Sequence, residues 1–306
     1  MTTEITVAAI EGAAERIGPH VRRTPILDLG DPFDAGHRLS LKLDSMQPTG
    51  SFKVRGAFSA LTAVTVPDQG VAAASGGNFG LAVAYAAARL GLRATVFVPS
   101  TSPEEKIGRI AAHGAEMRVV PGYYRDALEE SRGWVASSGA LEVHAFDQPE
   151  VVAGQGTCGR EIMDQVPDVT TILVAVGGGG LIGGIASWVR GAARVVAVEP
   201  ELCPTLHAAR EAGRPVEVDV GGVAASALGA SRLGDLPWAA NRWIAQSLLV
   251  PDETILESQR WLWETCRVLA EPAGAAPIAA LAGGFYAPSP GEHVVALISG
   301  ANTRAL

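Results

Sequence analysis

Thr171-Ile-Leu-Val-Ala-Val-Gly-Gly-Gly-Gly-Leu-Ile-Gly-Gly184 is the stretch from which the fold can be read. Six apolar or β-branched residues, Thr171–Val176, run straight into four glycines and then into an apolar segment, Gly180–Arg190. A continuous apolar run of that length suits a strand buried on both faces, and the glycines mark its handover to a helix. The same handover recurs at Val71–Ala74 before Asn78–Leu90, at Ala94–Val98 before Pro103–Ala112, and at Arg194–Val198 before Pro204–Ala212. Strands separated by helical crossovers predict parallel βαβ units and an α/β protein. Val294–Ile298 adds one more buried strand. The most turn-like breaks in the first half are Val-Pro-Asp-Gln-Gly at 66–70 and Ala-Phe-Asp-Gln-Pro at 145–149. They predict a small lobe over 70–146, inserted into a larger domain made of 1–69 and 147–306.

Composition narrows the function. The chain has 306 residues, 48% hydrophobic and 18% charged, with a net charge of −8. Its 24 basic residues form no stripe or run, which argues against nucleic acid and anionic lipid as partners. The longest apolar run, Val71 to Leu92, is broken by Ser75, Asn78 and Arg89, so no membrane span is expected. MTTEITVAAIEGAAERIG has no basic region followed by an apolar one, so no secretion signal is expected either. Cys158, Cys203 and Cys266 are odd in number and lack CxxC spacing. Free buried thiols in a reducing cytoplasm are expected, with neither a disulfide framework nor a metal site. Lysine occurs only at 42, 53 and 106, so chemistry that needs an amine has few candidates.

Three glycine-bearing segments sit where ligands bind in α/β proteins, at strand-to-helix junctions. In Pro48-Thr-Gly-Ser-Phe-Lys53-Val-Arg-Gly-Ala57, Gly50 allows a tight turn and Ser51 suits an N-cap, which puts Lys53 in the first helical turn. The positive end of the helix dipole there disfavours an ammonium group and lowers the pKa of the amine. In Ala74-Ser-Gly-Gly-Asn-Phe-Gly80, two glycines expose free N–H groups at a helix start, a carboxylate site with the Asn78 amide beside it. Gly177–Gly180 let several amides converge on one anion, with a phosphate as the natural guest. A rival reading exists for this last segment. Gly178, Gly180 and Gly183 match GxGxxG, and Glu199 ends the next strand, the fingerprint of a nicotinamide oxidoreductase. The set decides against it. A phosphate-bearing aldehyde acting on an amino acid needs one amine, one anion loop and one carboxylate loop. It also needs a group facing its ring nitrogen, which Ser299-Gly-Ala-Asn302 can supply after the last strand.

In this order and spacing the motifs resemble the fold-type-II pyridoxal-phosphate enzymes, the threonine/serine dehydratase and serine racemase branch. The resemblance runs nearly the whole length. It takes in Arg23-Thr-Pro25, SFKVRGA, SGGNFG, GQGT (154–157), GGGGLIGG, EPAG (271–274) and SGAN. It implies a tryptophan synthase β-like fold with two open, mostly parallel α/β lobes and the cofactor in the cleft between them. Lys53 is then the catalytic residue: it holds pyridoxal 5′-phosphate as a Schiff base, and its freed amine takes the α-proton. Phe52 packs by the cofactor ring, Asn78 bonds the phenolic oxygen, Gly177–Gly180 and Leu181 bind the phosphate, and Ser299 faces the ring nitrogen. Ser75, Gly76, Gly77 and Asn78 cradle the substrate carboxylate. The implied reaction is dehydration and deamination of a β-hydroxy amino acid such as L-threonine or L-serine, by a homodimer. Racemases of this branch carry a second serine where this chain has Gly76, which favours elimination over inversion. Their divalent-metal site is not expected, because Thr205 stands at one acidic position although Glu199 remains. The segment 221–229 also lacks the aspartate usual in related dehydratases. Serine racemisation, β-replacement and 3-hydroxyaspartate dehydration, the last through Arg125, are the alternatives within the fold.

Overall fold

The computed structural model describes residues 4–122 and 124–303. Among these residues, ten strands form two sheets. The larger contains β1 (Ile26–Gly30), β2 (Arg38–Lys42), β7 (Thr171–Ala175), β8 (Arg194–Pro200), β9 (Ile244–Val250) and β10 (His293–Leu297), in the order β1-β2-β10-β7-β8-β9. The smaller contains β3 (Val71–Ala74), β4 (Ala94–Pro99), β5 (Glu116–Val120) and β6 (Leu141–Glu142), in the order β5-β4-β3-β6. Every pairing is parallel except β1 with β2, at one edge of the larger sheet.

The period-two alternation of strand side chains splits the core of the larger sheet into two layers. Leu173 and Ala175 of β7 face one layer, where the helices Asp252–Cys266 and Pro272–Ala282 pack. Ile172 and Val174 face the other, where the helices Pro149–Gln165 and Gly180–Val189 pack. The smaller sheet is likewise covered on both faces. Val71 and Ala73 meet the helices Lys53–Ala63 and Asn78–Leu90, while Ala72 and Ala74 meet the helix Tyr124–Ser138. The Lys53–Ala63 helix thus lies between the two sheets, against both Pro149–Gln165 and Asn78–Leu90. Among the described residues, no helix is long and apolar enough to cross a membrane.

Candidate active site

Backbone stitching places Lys53. Gly50 turns with φ +73°, and the loop after β10 is tied to this turn: Ser51 bridges Gly300, and Phe52 N donates to Ser299 O at 3.0 Å. The helix begins at Lys53 itself. Ser51 is not its N-cap. That position falls to Phe52, and the Ser51 hydroxyl is buried without a protein partner, because the bridge to Gly300 sets where its backbone runs. The Lys53 ammonium lies 3.4 Å from Ala145 O and 5.0 Å from the Phe52 ring centroid. Burial pushes its pKa down to about 8, opposed by the nearby Glu271 carboxylate. Loss of water is the largest cause of the lowering, and Lys53 also keeps the helix-start position expected from sequence.

The glycine run leaves β7 beside the end of β10. Gly179, at φ +87°, caps the helix Gly180–Val189, whose first amides have no acceptor within the helix. A Cβ on Gly178 would run into the Phe146 ring, and one on Gly180 would come within 2.9 Å of the Phe146 carbonyl oxygen. Backbone alone can line this wall. Phe52, Lys53, Asn78, Gly177–Gly180, Leu181 and Ser299 all face one cleft. Ser299 is 4% exposed, and its hydroxyl has no protein hydrogen-bond partner among the described residues. One depressed amine, one backbone cradle for an anion, one aromatic face and one unpaired hydroxyl are the groups that pyridoxal phosphate needs, and the site fits it.

The turn Ser75-Gly76-Gly77 follows β3 and leads into the helix at Asn78, beside the cleft. The Ser75 hydroxyl accepts from Gly77 N at 3.3 Å. Gly76 has a close neighbour: a Cβ there would overlap the Ser102 hydroxyl, which comes from the loop after β4. The Asn78 amide donates to Glu271 Oε1 at 2.7 Å and accepts from Asn302 Nδ2 at 2.9 Å. Burial raises the Glu271 pKa, and the Asn78 hydrogen bond lowers it. Sequence alone assigns no role to Phe146, Glu271 or Asn302. Glu271 precedes a proline at a helix start and reads as an ordinary capping position, yet its side chain makes no cap and turns into the cleft.

Other candidates lie elsewhere. Glu199 is sealed at the head of the helix Thr205–Ala212, accepting from Leu206 N and His207 N at 2.8 Å each and from the hydroxyls of Ser247 and Thr205. It is fully buried and its oxygens are taken up by these four donors, so it is not free to hold a ribose as the dinucleotide reading requires. Arg125 is exposed and does not line the cleft. Cys158 and Cys203 are buried free thiols, whereas Cys266 is only half-buried.

A family model described as pyridoxal-phosphate dependent enzyme matches residues 17–300. A putative threonine dehydratase of Sinorhizobium fredii is 37% identical, over 98% of this chain and 93% of its own. The crystal structure of a threonine deaminase from T.th. superposes with a TM-score of 0.91 at 34% identity, covering 98% of this chain and 99% of that one. Maize serine racemase gives 0.91 at 29% identity, covering 98% and 94%.

Proposed function

The chain belongs to the pyridoxal-phosphate dependent enzymes, and from that premise we propose that it is an ammonia-lyase that dehydrates and deaminates a β-hydroxy amino acid such as L-threonine or L-serine to a 2-oxo acid and ammonia. When bound, pyridoxal phosphate supplies an electron sink for the negative charge left at Cα. The residues of this chain do the rest. The amides of Gly177–Gly180 and Leu181 hold the phosphate, and Phe52 covers the ring. Asn78 donates to the phenolic oxygen. The Ser299 hydroxyl faces the ring nitrogen without forcing a proton onto it, which favours rapid loss of the β-substituent. Ser75, Gly76, Gly77 and Asn78 bind the substrate carboxylate. The Lys53 amine takes the α-proton, the β-hydroxyl leaves as water, and the enamine produced hydrolyses to a 2-oxo acid and ammonia. Residues 70–146 are the lobe that closes over the substrate. A cytoplasmic homodimer belongs to the same reading; the cytoplasm rests on the free cysteines and the dimer on the resemblance, and light scattering tests the dimer.

The observation that carries the proposal is the buried Lys53 amine, held near pKa 8 in the cleft that also contains the glycine cradle and the Ser299 hydroxyl. Ammonia release should appear in a screen of β-hydroxy amino acids, and borohydride should fix the cofactor to Lys53. Lys53→Ala should lose 2-oxo acid formation by at least about a hundredfold, the lower range for loss of a positioned base. Full activity in that variant would falsify the assignment.

A further inference from the structure

Beside the cleft, hydrogen bonds run in one direction through four side chains. Asn302 Nδ2 donates to Thr49 O at 2.8 Å and to Asn78 Oδ1 at 2.9 Å, and Asn302 Oδ1 accepts from Arg109 Nη2 at 2.7 Å. A carbonyl can only accept and a guanidinium can only donate. These two neighbours therefore fix which end of the Asn302 amide points which way. Turned over, its oxygen would face Thr49 O and its NH₂ would face Arg109. The fixed Asn302 in turn fixes Asn78, whose oxygen is occupied by Asn302 and whose nitrogen donates to Glu271 Oε1 at 2.7 Å. Of the two N–H bonds on Asn78, one is used. The second has no protein acceptor among the described residues, and Asn78 lines the cleft.

We propose that Arg109, Asn302 and Glu271 form a directional relay that locks the Asn78 amide as a hydrogen-bond donor toward the cleft, which makes Arg109 and Asn302 positioning residues for cofactor binding. This rests on the reading of Asn78 as the partner of the phenolic oxygen. The surroundings are cut to fit the relay. A Cβ on Gly300 would overlap Glu271 Oε1, and one on Gly50 would stand 2.6 Å from Asn302 Oδ1. The relay also joins separate parts of the chain. Asn78 and Arg109 come from helices that pack on the smaller sheet, whereas Glu271 and Asn302 come from segments packed on the larger one. A donor frozen in place before the cofactor arrives has no rotamer freedom left to lose on binding.

A simple tie between the lobes and a donor relay predict different outcomes for Asn302→Asp. A carboxylate would hold Arg109 at least as firmly, so a tie would survive. It would also put an oxygen in place of Nδ2, facing both Asn78 Oδ1 and Thr49 O, so the relay would break. Asn302→Asp and Asn302→Ala should each weaken pyridoxal phosphate binding about tenfold in an absorbance titration, the loss of one well-placed hydrogen bond. Both should also move the pH midpoint of the bound cofactor's absorption band. Asn78→Ala should do the same. Asn302→Ala introduces no buried charge and carries the test if Asn302→Asp fails to fold. Wild-type affinity and midpoint in the Asn302 variants, with Asn78→Ala impaired, would overturn the relay alone. Wild-type behaviour of Asn78→Ala as well would overturn the assigned role of Asn78 and the relay with it.

Discussion

Lys53 is one of three lysines, and sequence singles it out by its place at a helix start. Its surroundings in the fold add burial. Phe52 and Phe79 stand 5.0 and 5.8 Å from the ammonium, and their rings keep water from it. An ordinary lysine titrates at 10.5, and this one at about 8. At pH 7 roughly a tenth of Lys53 is therefore neutral, against about one part in 3,000 for an exposed lysine. Because the neutral amine is the nucleophile, the rate at which the apoprotein takes up pyridoxal phosphate should rise with pH and level off just above 8. Stopped-flow absorbance from about pH 6.5 to 10 would check this, and a rate still climbing about tenfold per unit above pH 9 would exclude a depressed amine. Ser299 is legible in sequence as a hydroxyl after the last strand. Glu271 is not, because a side chain that turns away from its own helix leaves no mark in sequence spacing.

At the scale of elements, the turn after β3 and the loop after β4 interlock through Gly76 and Ser102. The parallel pairing of β3 with β4, Ala74 opposite Phe97, brings these two connections out side by side. A serine at 76 would therefore collide with Ser102 before it reached the substrate. Gly76→Ser should cost about 1–3 kcal/mol of stability, the usual penalty for overpacking, and most of the elimination activity. The double variant with Ser102→Gly should recover the stability. Thermal melts and chiral product analysis of the pair would test the interlock, which fails if the single variant is as stable as the parent. Element boundaries are legible where burial is complete: β3 at Val71–Ala74 and the helix at Asn78–Leu90 fall where the pattern predicts them. The edge strands β1, β5 and β9 leave no such pattern. Their exposure is mixed, so neither an unbroken apolar run nor a clean alternation marks them.

Across the whole molecule, the distant motifs meet in one buried polar knot. The Arg55 guanidinium is fully buried and reaches Asp44 at 2.7 and 2.8 Å, Glu161 at 2.7 and 2.9 Å, and the Thr157 hydroxyl at 3.1 Å. Lys42 donates to Glu161, Gln165 and Thr24 O, and the Thr24 hydroxyl donates to Asp44. RTP, SFKVRGA and GQGT thus hold one another, and the Lys53 helix is anchored two residues past the amine. Arg55→Met would leave the two carboxylates of the knot with Lys42 in place of two cations to balance them. Urea denaturation should show a loss of about 3–5 kcal/mol, and a loss below about 1 kcal/mol would mean that the knot does not hold the fold. The sequence by itself determined the α/β class and the family, and singled out Lys53 and the glycine run as candidates, because these depend on local rules: strand periodicity, glycine at tight turns, and motif order. Only the tertiary structure decided how deeply the Lys53 amine is buried, which way the Asn78 amide points, what fills the space at Gly76, and that Glu199 is sealed under a helix. Burial, hydrogen-bond direction and close approach are relations between segments far apart in the chain, and no local pattern encodes them.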